Sequence, residues 1–373
     1  MRREIHDLAE FDRAAAAGDL VDVVIQGLDL SARTPTVTAT SWAGSVLLGC
    51  ELADDALRHV LATGGLVFPP LPGLPFDPYR PCLYRHGELL TGVRRGVEGS
   101  FARDALDSRI WAWSRRHDPR RLPLLDALAR RLHDLAIDDA LADHLAGRPD
   151  VVAVMGGHEV TRGSAVYREV ARLGRLCARR GWLVTTGGGP GAMEAANLGA
   201  WCADAPDHIL DDCVDLLADA PDWRRPDPYL EAGFRALDRV PDGHENLAVP
   251  TWFYGHEPTN QFATHVAKYF ANSLREEGLL AIATRGVVFA PGSAGTLQEV
   301  FQDATQNHYG VFGVVSPMVF LGREHWTEVL PAADLLTRLA DGRPYRDSIG
   351  VVDDAAAAVA FLDDHPARPV PGA

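Results

Sequence analysis

The chain is nearly without lysine: among its 36 basic side chains Lys268 is the only one, and the rest are arginines. Chemistry through a lysine Schiff base therefore rests on a single residue, which lies in no recognisable cofactor motif, and no cofactor is expected. Positive charge is also short overall, 36 basic against 51 acidic residues for a formal charge of −15. With no extended basic stripe, a DNA or RNA partner is not expected. The five cysteines, Cys50, Cys82, Cys177, Cys202 and Cys213, are odd in number and form no CxxC. Neither a disulfide framework nor a zinc site follows, no metal is expected, and a reduced, cytoplasmic setting is the simplest expectation. Nowhere do eighteen apolar residues run together, and the charged start MRREIHDLAEFDRA leads into no apolar stretch. Membrane spanning and secretion are thus not expected.

What is present suits a large core: 373 residues, 47% of them hydrophobic, with room for two domains. Two glycine-rich turns stand out. The apolar run 286–290 reads as a buried parallel strand, 291–295 (PGSAG) as a turn, and Thr296 onward (TLQEVFQDATQNH) as a helix whose free N–H groups face that turn. About a hundred residues earlier the run WLVTT (182–186) is followed by Gly187-Gly188-Gly189-Pro190-Gly191 and the helical AMEAANLGA. Strand, glycine turn and helix recur, and two phosphate-ready turns in one α/β unit point to a nucleotide. A third strand, VVAVM at 151–155, ends in Gly156-Gly157-His158, adding Gly156 and Gly157 to the candidate phosphate wall. For His158 both a binding role and a local polar contact stand open.

The two turns resemble the marks of the LOG ("lonely guy") family and its larger relatives, the nucleoside 5′-monophosphate nucleosidases, which are GGGxxGxM and PGGxGTxxE. Here they read GGGPGAM, ending in Met193, and PGSAGTLQE, ending in Glu299, with Ser293 where the family has its second glycine. The likeness spans roughly residues 150 to 330. It implies a doubly wound, Rossmann-like α/β fold with a parallel sheet and helices on both faces. It also implies hydrolysis of the N-glycosidic bond of a nucleoside 5′-monophosphate to free base and ribose 5-phosphate, and a homodimer or higher homo-oligomer. By position Glu299 matches the family's catalytic carboxylate and Arg275 its catalytic arginine. The phosphate or substrate would be held by Gly156, Gly157, Gly188, Gly189, Gly191, Met193, Gly292, Ser293, Gly295 and Thr296, with Lys268 and Asn272 beside them. The competing expectation is a non-catalytic protein that binds a nucleotide or pterin-like phosphorylated cofactor in the same pocket.

Around this core the sequence divides into a β-rich region at 1–100, a helical connector at 101–148 and the nucleotide-binding domain at 149–373. The connector places Leu122, Leu125, Leu128, Leu132 and Leu135 on one helical stripe. An Asp- and Pro-rich insertion at 203–246 reads either as a lid or as solvated decoration. In TWFYGHEPTNQF two readings stand: the aromatics stack on a base while His256, Glu257, Thr259 and Asn260 read its edge, or the stretch is a satisfied polar turn beside core aromatics. A helix is expected over 263–277, with Lys268, Asn272 and Arg275 within about 60° of one another on one face. The last residues, HPARPVPGA, read as a disordered tail.

Overall fold

Most strands form where the sequence is β-branched and apolar, in a four-stranded sheet, a seven-stranded sheet and a separate two-stranded pair. The computed structural model describes residues 3–370. In chain order the first elements are β1 (Arg3–Ile5), α1 (Leu8–Ala16), β2 (Val23–Gln26), α2 (Thr34–Ala39), β3 (Val46–Leu48), α3 (Asp54–Ala62) and β4 (Leu66–Phe68). The four strands are parallel and lie side by side in sequence order. Arg3 pairs with Val23, Val24 with Val46 and Val46 with Leu66, so each strand repeats the one before after 20 to 22 residues. One helix returns the chain between successive strands, which is the arrangement of a short solenoid. Its core joins Ile5, Ile25 and Leu47, all paired neighbours, to Phe11, Trp42 and Val60.

Four helices follow: α4 (His86–Leu89), α5 (Ser100–Asp104), α6 (Leu106–Ser114) and the long α7 (Leu124–Leu145). The two compact units interleave along the chain here. One unit takes the chain to Leu83 together with Arg115–His144, and the other takes Tyr84–Ser114 and everything from Leu145. The leucine stripe of α7 faces solvent, with Leu125, Leu128 and Leu135 exposed. The helix buries instead Ala129, Ala136, Ile137 and Ala140.

The second unit is the expected doubly wound domain. Its further elements are β5 (Val151–Met155), α8 (Ala165–Arg179), β6 (Leu183–Thr186), α9 (Ala192–Trp201), α10 (Asp207–Ala218), α11 (Pro226–Arg239), β7 (Leu247–Ala248) and β8 (His265–Val266). Next come α12 (Asn272–Ala281), β9 (Gly286–Phe289), α13 (Ala294–Tyr309), β10 (Val314–Val315), β11 (Met318–Leu321), α14 (Ala332–Leu339), β12 (Ile349–Val352), α15 (Ala355–Asp364) and β13 (Arg368–Pro369). Seven strands form one parallel sheet in the order β12-β11-β9-β5-β6-β7-β8. From β5 the chain winds outward through β6, β7 and β8, then returns to the other side of β5 as β9. The order therefore reverses between β5 and β9, and ligands of such sheets bind where the loops leaving the two strands diverge.

Three expectations are corrected. Residues 263–271 are not helical: β8 pairs with β7, and Ala267 N and Tyr269 N donate to Ala248 O and Pro250 O. Phe262, Ala263, Val266, Ala267, Tyr269 and Phe270 are all buried, which one helical face cannot achieve, and the helix starts only at Asn272. The 203–246 insertion is neither lid nor decoration, because Leu210, Cys213, Val214 and Leu217 of α10 and Ala232 and Ala236 of α11 enter the main core. The tail is ordered as far as it is described: β13 pairs antiparallel with β10, and the final three residues lie outside the described range.

Candidate functional site

The three glycine turns leave the carboxyl ends of the neighbouring strands β9, β5 and β6 and pack on one another. Gly157 N donates to Pro291 O at 3.0 Å, and Ala192 N donates to Gly157 O at 3.1 Å. The fit leaves no space for side chains. Gly191 has φ +72°, and a Cβ there would stand 2.4 Å from Gly157 O. A buried bidentate pair locks the arrangement: Arg162, in the loop after β5, donates to both oxygens of Glu194 in the first turn of α9, each at 2.7 Å, and Tyr167 Oη donates to the same carboxylate at 2.6 Å. Thr186 Oγ1 accepts from Gly188 N at 3.0 Å and donates to Asn197 Oδ1 at 2.6 Å, tying the 187–191 turn to α9.

These turns border a cavity of about 440 Å³, within the range of small-molecule sites. Of the residues singled out in the sequence, Gly156, Gly157, Gly188, Gly189, Met193, Lys268, Arg275, Ser293, Gly295, Thr296 and Glu299 line it. Gly191 and Gly292 do not. The first sits between turns, and the second lies behind the wall, its carbonyl 3.0 Å from His325 Nε2. Asn272 also stays outside and donates to Tyr254 Oη at 2.9 Å. Ser293 precedes α13 without making a side-chain capping bond, so the leading N–H groups of that helix, which lack intrahelical acceptors, border the cavity. Such a terminus favours a negatively charged oxygen.

Arg275 and Glu299 meet at the cavity wall. Arg275 Nη1 lies 3.3 Å from Glu299 Oε1, Nε donates to Val249 O at 2.9 Å and Nη2 to Gly187 O at 3.4 Å. Both residues are buried. Burial raises the Glu299 carboxyl above its ordinary range, Arg275 opposes the rise, and Glu276 adds to it. Of these contributions, only that of Arg275 favours the charged form of Glu299.

Lys268 reaches the cavity from the extended segment after β8. It is not a free cation, because Nζ contacts Asp107 Oδ1 at 2.8 Å and Oδ2 at 3.0 Å. Asp107, on α6 and wholly buried, also accepts from Trp252 Nε1 at 2.7 Å and Thr259 Oγ1 at 2.8 Å. Burial alone would raise Asp107, but Lys268, His256 and the hydrogen bonds from Lys268 and Thr259 outweigh it and hold the carboxyl below its usual range. Sequence reading missed Asp107. The signals for it were an aspartate among the tryptophans of α6 and a lone lysine in need of a partner.

The stretch 251–260 divides between its two readings. His256 lies between the rings of Phe101 and Trp111, with centroids at 4.9 and 5.0 Å, and its Nε2 is 2.7 Å from Ser108 Oγ. Burial lowers its pKa, and the charge of Asp107 opposes this. Trp252 is buried against Phe270, and Asn260 is bonded to Asn197 and to Phe262 N. These residues behave as a satisfied polar turn. Tyr254 and Glu257 border the cavity, and Thr259 and Asn260 line it as well. His158 lines it too, 3.1 Å from Glu159.

Residues 150–205, which run from β5 through the GGGPGAM turn and α9, match the SLOG cluster4 family. Among solved structures the chain is similar to the molybdenum cofactor binding protein of the phototrophic bacterium Rippkaea orientalis, at 14% identity and a TM-score of 0.37 over 58% of this chain and 98% of that one. It is also similar to the molybdenum cofactor carrier protein of Chlamydomonas reinhardtii, at 19% identity and 0.36 over 58% and 96%. No curated protein matches it in sequence. No helix among the described residues is long and apolar enough to cross a membrane.

Proposed function

We propose that this chain, in which residues 150–205 match the SLOG cluster4 family, is a LOG-like enzyme that hydrolyses the N-glycosidic bond of a nucleoside 5′-monophosphate, releasing a free base and ribose 5-phosphate. The observation that carries the reading is the buried Arg275–Glu299 pair, at 3.3 Å, on the wall of a cavity that also contains the start of α13. In this reading the 5′-phosphate sits on the N-terminus of α13, at Ser293, Gly295 and Thr296, with Gly156 and Gly157 completing the cradle. One helical turn further on, Glu299 faces the sugar.

Cleavage of the bond develops positive charge on the sugar ring, and a fixed carboxylate in a site shielded from water stabilises that charge more than it stabilises the ground state. Glu299 also accepts a proton from the attacking water. Arg275 keeps Glu299 ionised and oriented. Lys268, held by Asp107, contributes a donor at the wall without adding net charge. Incubating the purified protein with a panel of monophosphates and measuring free base and ribose 5-phosphate tests the reading. A cavity that holds a phosphorylated ligand without cleaving it shares the whole cradle, so turnover separates that alternative from hydrolysis.

A further inference from the structure

Three carboxylates, Glu257, Glu276 and Glu299, line the cavity, and of these only Glu299 has a task in the scheme above. Glu299 is paired with Arg275, and Glu276 accepts from Tyr254 Oη at 3.1 Å. Glu257 borders the same cavity, yet among the described residues no group donates a hydrogen bond to its side chain. A cavity-facing carboxyl group usually recruits a donor if it is to stay ionised. This one stands against glycine: Oε2 is 2.9 Å from where a Cβ on Gly189 would be, so the missing side chain makes room for it. At the other end of the same turn, Gly187 O accepts from Arg275, which holds Glu299. The 187–189 turn therefore has a bare carboxyl group at one end and an arginine-held carboxylate at the other, both facing one cavity.

The two environments differ in the way that separates an acid from a base. Burial raises Glu257 above the ordinary carboxylate range; the charges of His158, Lys268 and Arg275 work against this and Glu159 works with it, none of them through a hydrogen bond. Glu299 is raised by burial too, but it has a guanidinium in contact to favour its charged form. Burial acts on both carboxyl groups in the same direction, and what distinguishes them is contact: Glu299 has the Arg275 guanidinium against it and Glu257 has no donor among the described residues, the kind of difference in surroundings that divides acid and base roles between two carboxyl groups.

We propose that Glu257 is a catalytic residue, the acid that hands its proton to a ring nitrogen of the departing base as the C1′–N bond breaks. The assignment rests on the hydrolytic reading above. The electron pair of the C1′–N bond goes to the base nitrogen, which then shares the Glu257 proton with another ring position or retains it. Water adds its oxygen to C1′, and its proton passes to Glu299. Return of that proton from Glu299 to Glu257 through solvent resets the site, so the net change is nucleotide plus water to base plus ribose 5-phosphate. Without such an acid the base would have to leave as an anion, and positioned acids of this kind contribute about 10² to 10⁴ in rate.

The test compares wild-type protein and Glu257→Gln on two substrates: the monophosphate that turns over best, and ribose 5-phosphate carrying 4-nitrophenolate at C1′, which departs as a stable anion. Base release from the nucleotide should fall about 100-fold or more in the variant, and the alkaline limb of its pH–rate profile should disappear, while nitrophenolate release stays within a few-fold. Glu257→Asp, which keeps the proton on a shorter arm, should fall between, and equal urea midpoints verify folding. Equal losses on both substrates, or no loss on either, overturn the role of Glu257 and leave the hydrolytic reading intact. Wild-type protein that cleaves neither substrate overturns the hydrolytic reading itself, and the role of Glu257 with it.

Discussion

Lys268 and Asp107 form a buried ion pair, with side-chain exposures of 8% and 0% and a shortest contact of 2.8 Å, in which only the lysine borders the cavity. Two charges withdrawn from water are tolerated only when paired and otherwise hydrogen-bonded, and Asp107 meets this condition through Trp252 and Thr259. Lys268→Met leaves a buried carboxylate unpaired and should cost about 3–5 kcal/mol of stability, read as a lower urea midpoint. Adding Asp107→Asn to that variant should recover part of the loss. A single variant as stable as wild type contradicts the structural weight given to the pair.

Asp303 lies one turn beyond Glu299 on α13, 2% exposed, with Oδ2 lacking any partner. Burial alone raises its pKa well above the ordinary value. The folded protein therefore holds a proton that the unfolded chain has released once the pH exceeds about 4. Stability from this group is fully present below the unfolded pKa and is lost as the pH rises toward the folded value. Asp303→Asn should flatten that decline and raise the urea midpoint at pH 8 more than at pH 5. A uniform shift, or a decrease at pH 8, would show that Asp303 is ionised in the fold.

Much of the site was legible because its chemistry is local in sequence. A strand followed by glycines and a helix start spells out both turns, and the continuous apolar runs at 151–155 and 286–289 become central strands of the sheet. What was not legible depends on pairing at a distance. The run ATHVAKYF has a spacing that a helix would also satisfy, and only the neighbouring β7 decides for a strand. Asp107 precedes Lys268 by 161 residues, so no local pattern connects them. The 20- to 22-residue repeat of β1 to β4 was also overlooked, since its strands are three or four residues long and share spacing rather than sequence.

If the α13 terminus receives the 5′-phosphate, that group supplies much of the binding and positions C1′ against Glu299. Inorganic phosphate or sulfate should compete with the nucleotide, and the matching nucleoside should be a poor substrate with kcat/KM lower by at least about 10²-fold. Kinetics with AMP and adenosine, or whichever pair turns over, provide the comparison. Equal turnover of nucleoside and nucleotide would remove the cradle from the account.

Arg275 opposes the effect of burial on Glu299, so its loss should let the Glu299 pKa rise further. Arg275→Ala should then move the acid limb of the pH–rate profile to higher pH as well as lowering kcat. A reduced rate with an unshifted limb would mean that Arg275 acts on the substrate and not through Glu299.

The most direct test of the central claim is Glu299→Gln, assayed beside wild-type protein first shown to release base. The substitution keeps size and most hydrogen bonding and removes the charge needed as the glycosidic bond breaks. Base release should drop by on the order of 10² to 10³, while affinity for the monophosphate, measured by calorimetry, changes only modestly. If Glu299 serves only the positive end of its own helix, Gln costs roughly 0.3 to 1 kcal/mol of stability and turnover survives. Near-wild-type base release by Glu299→Gln would contradict the account.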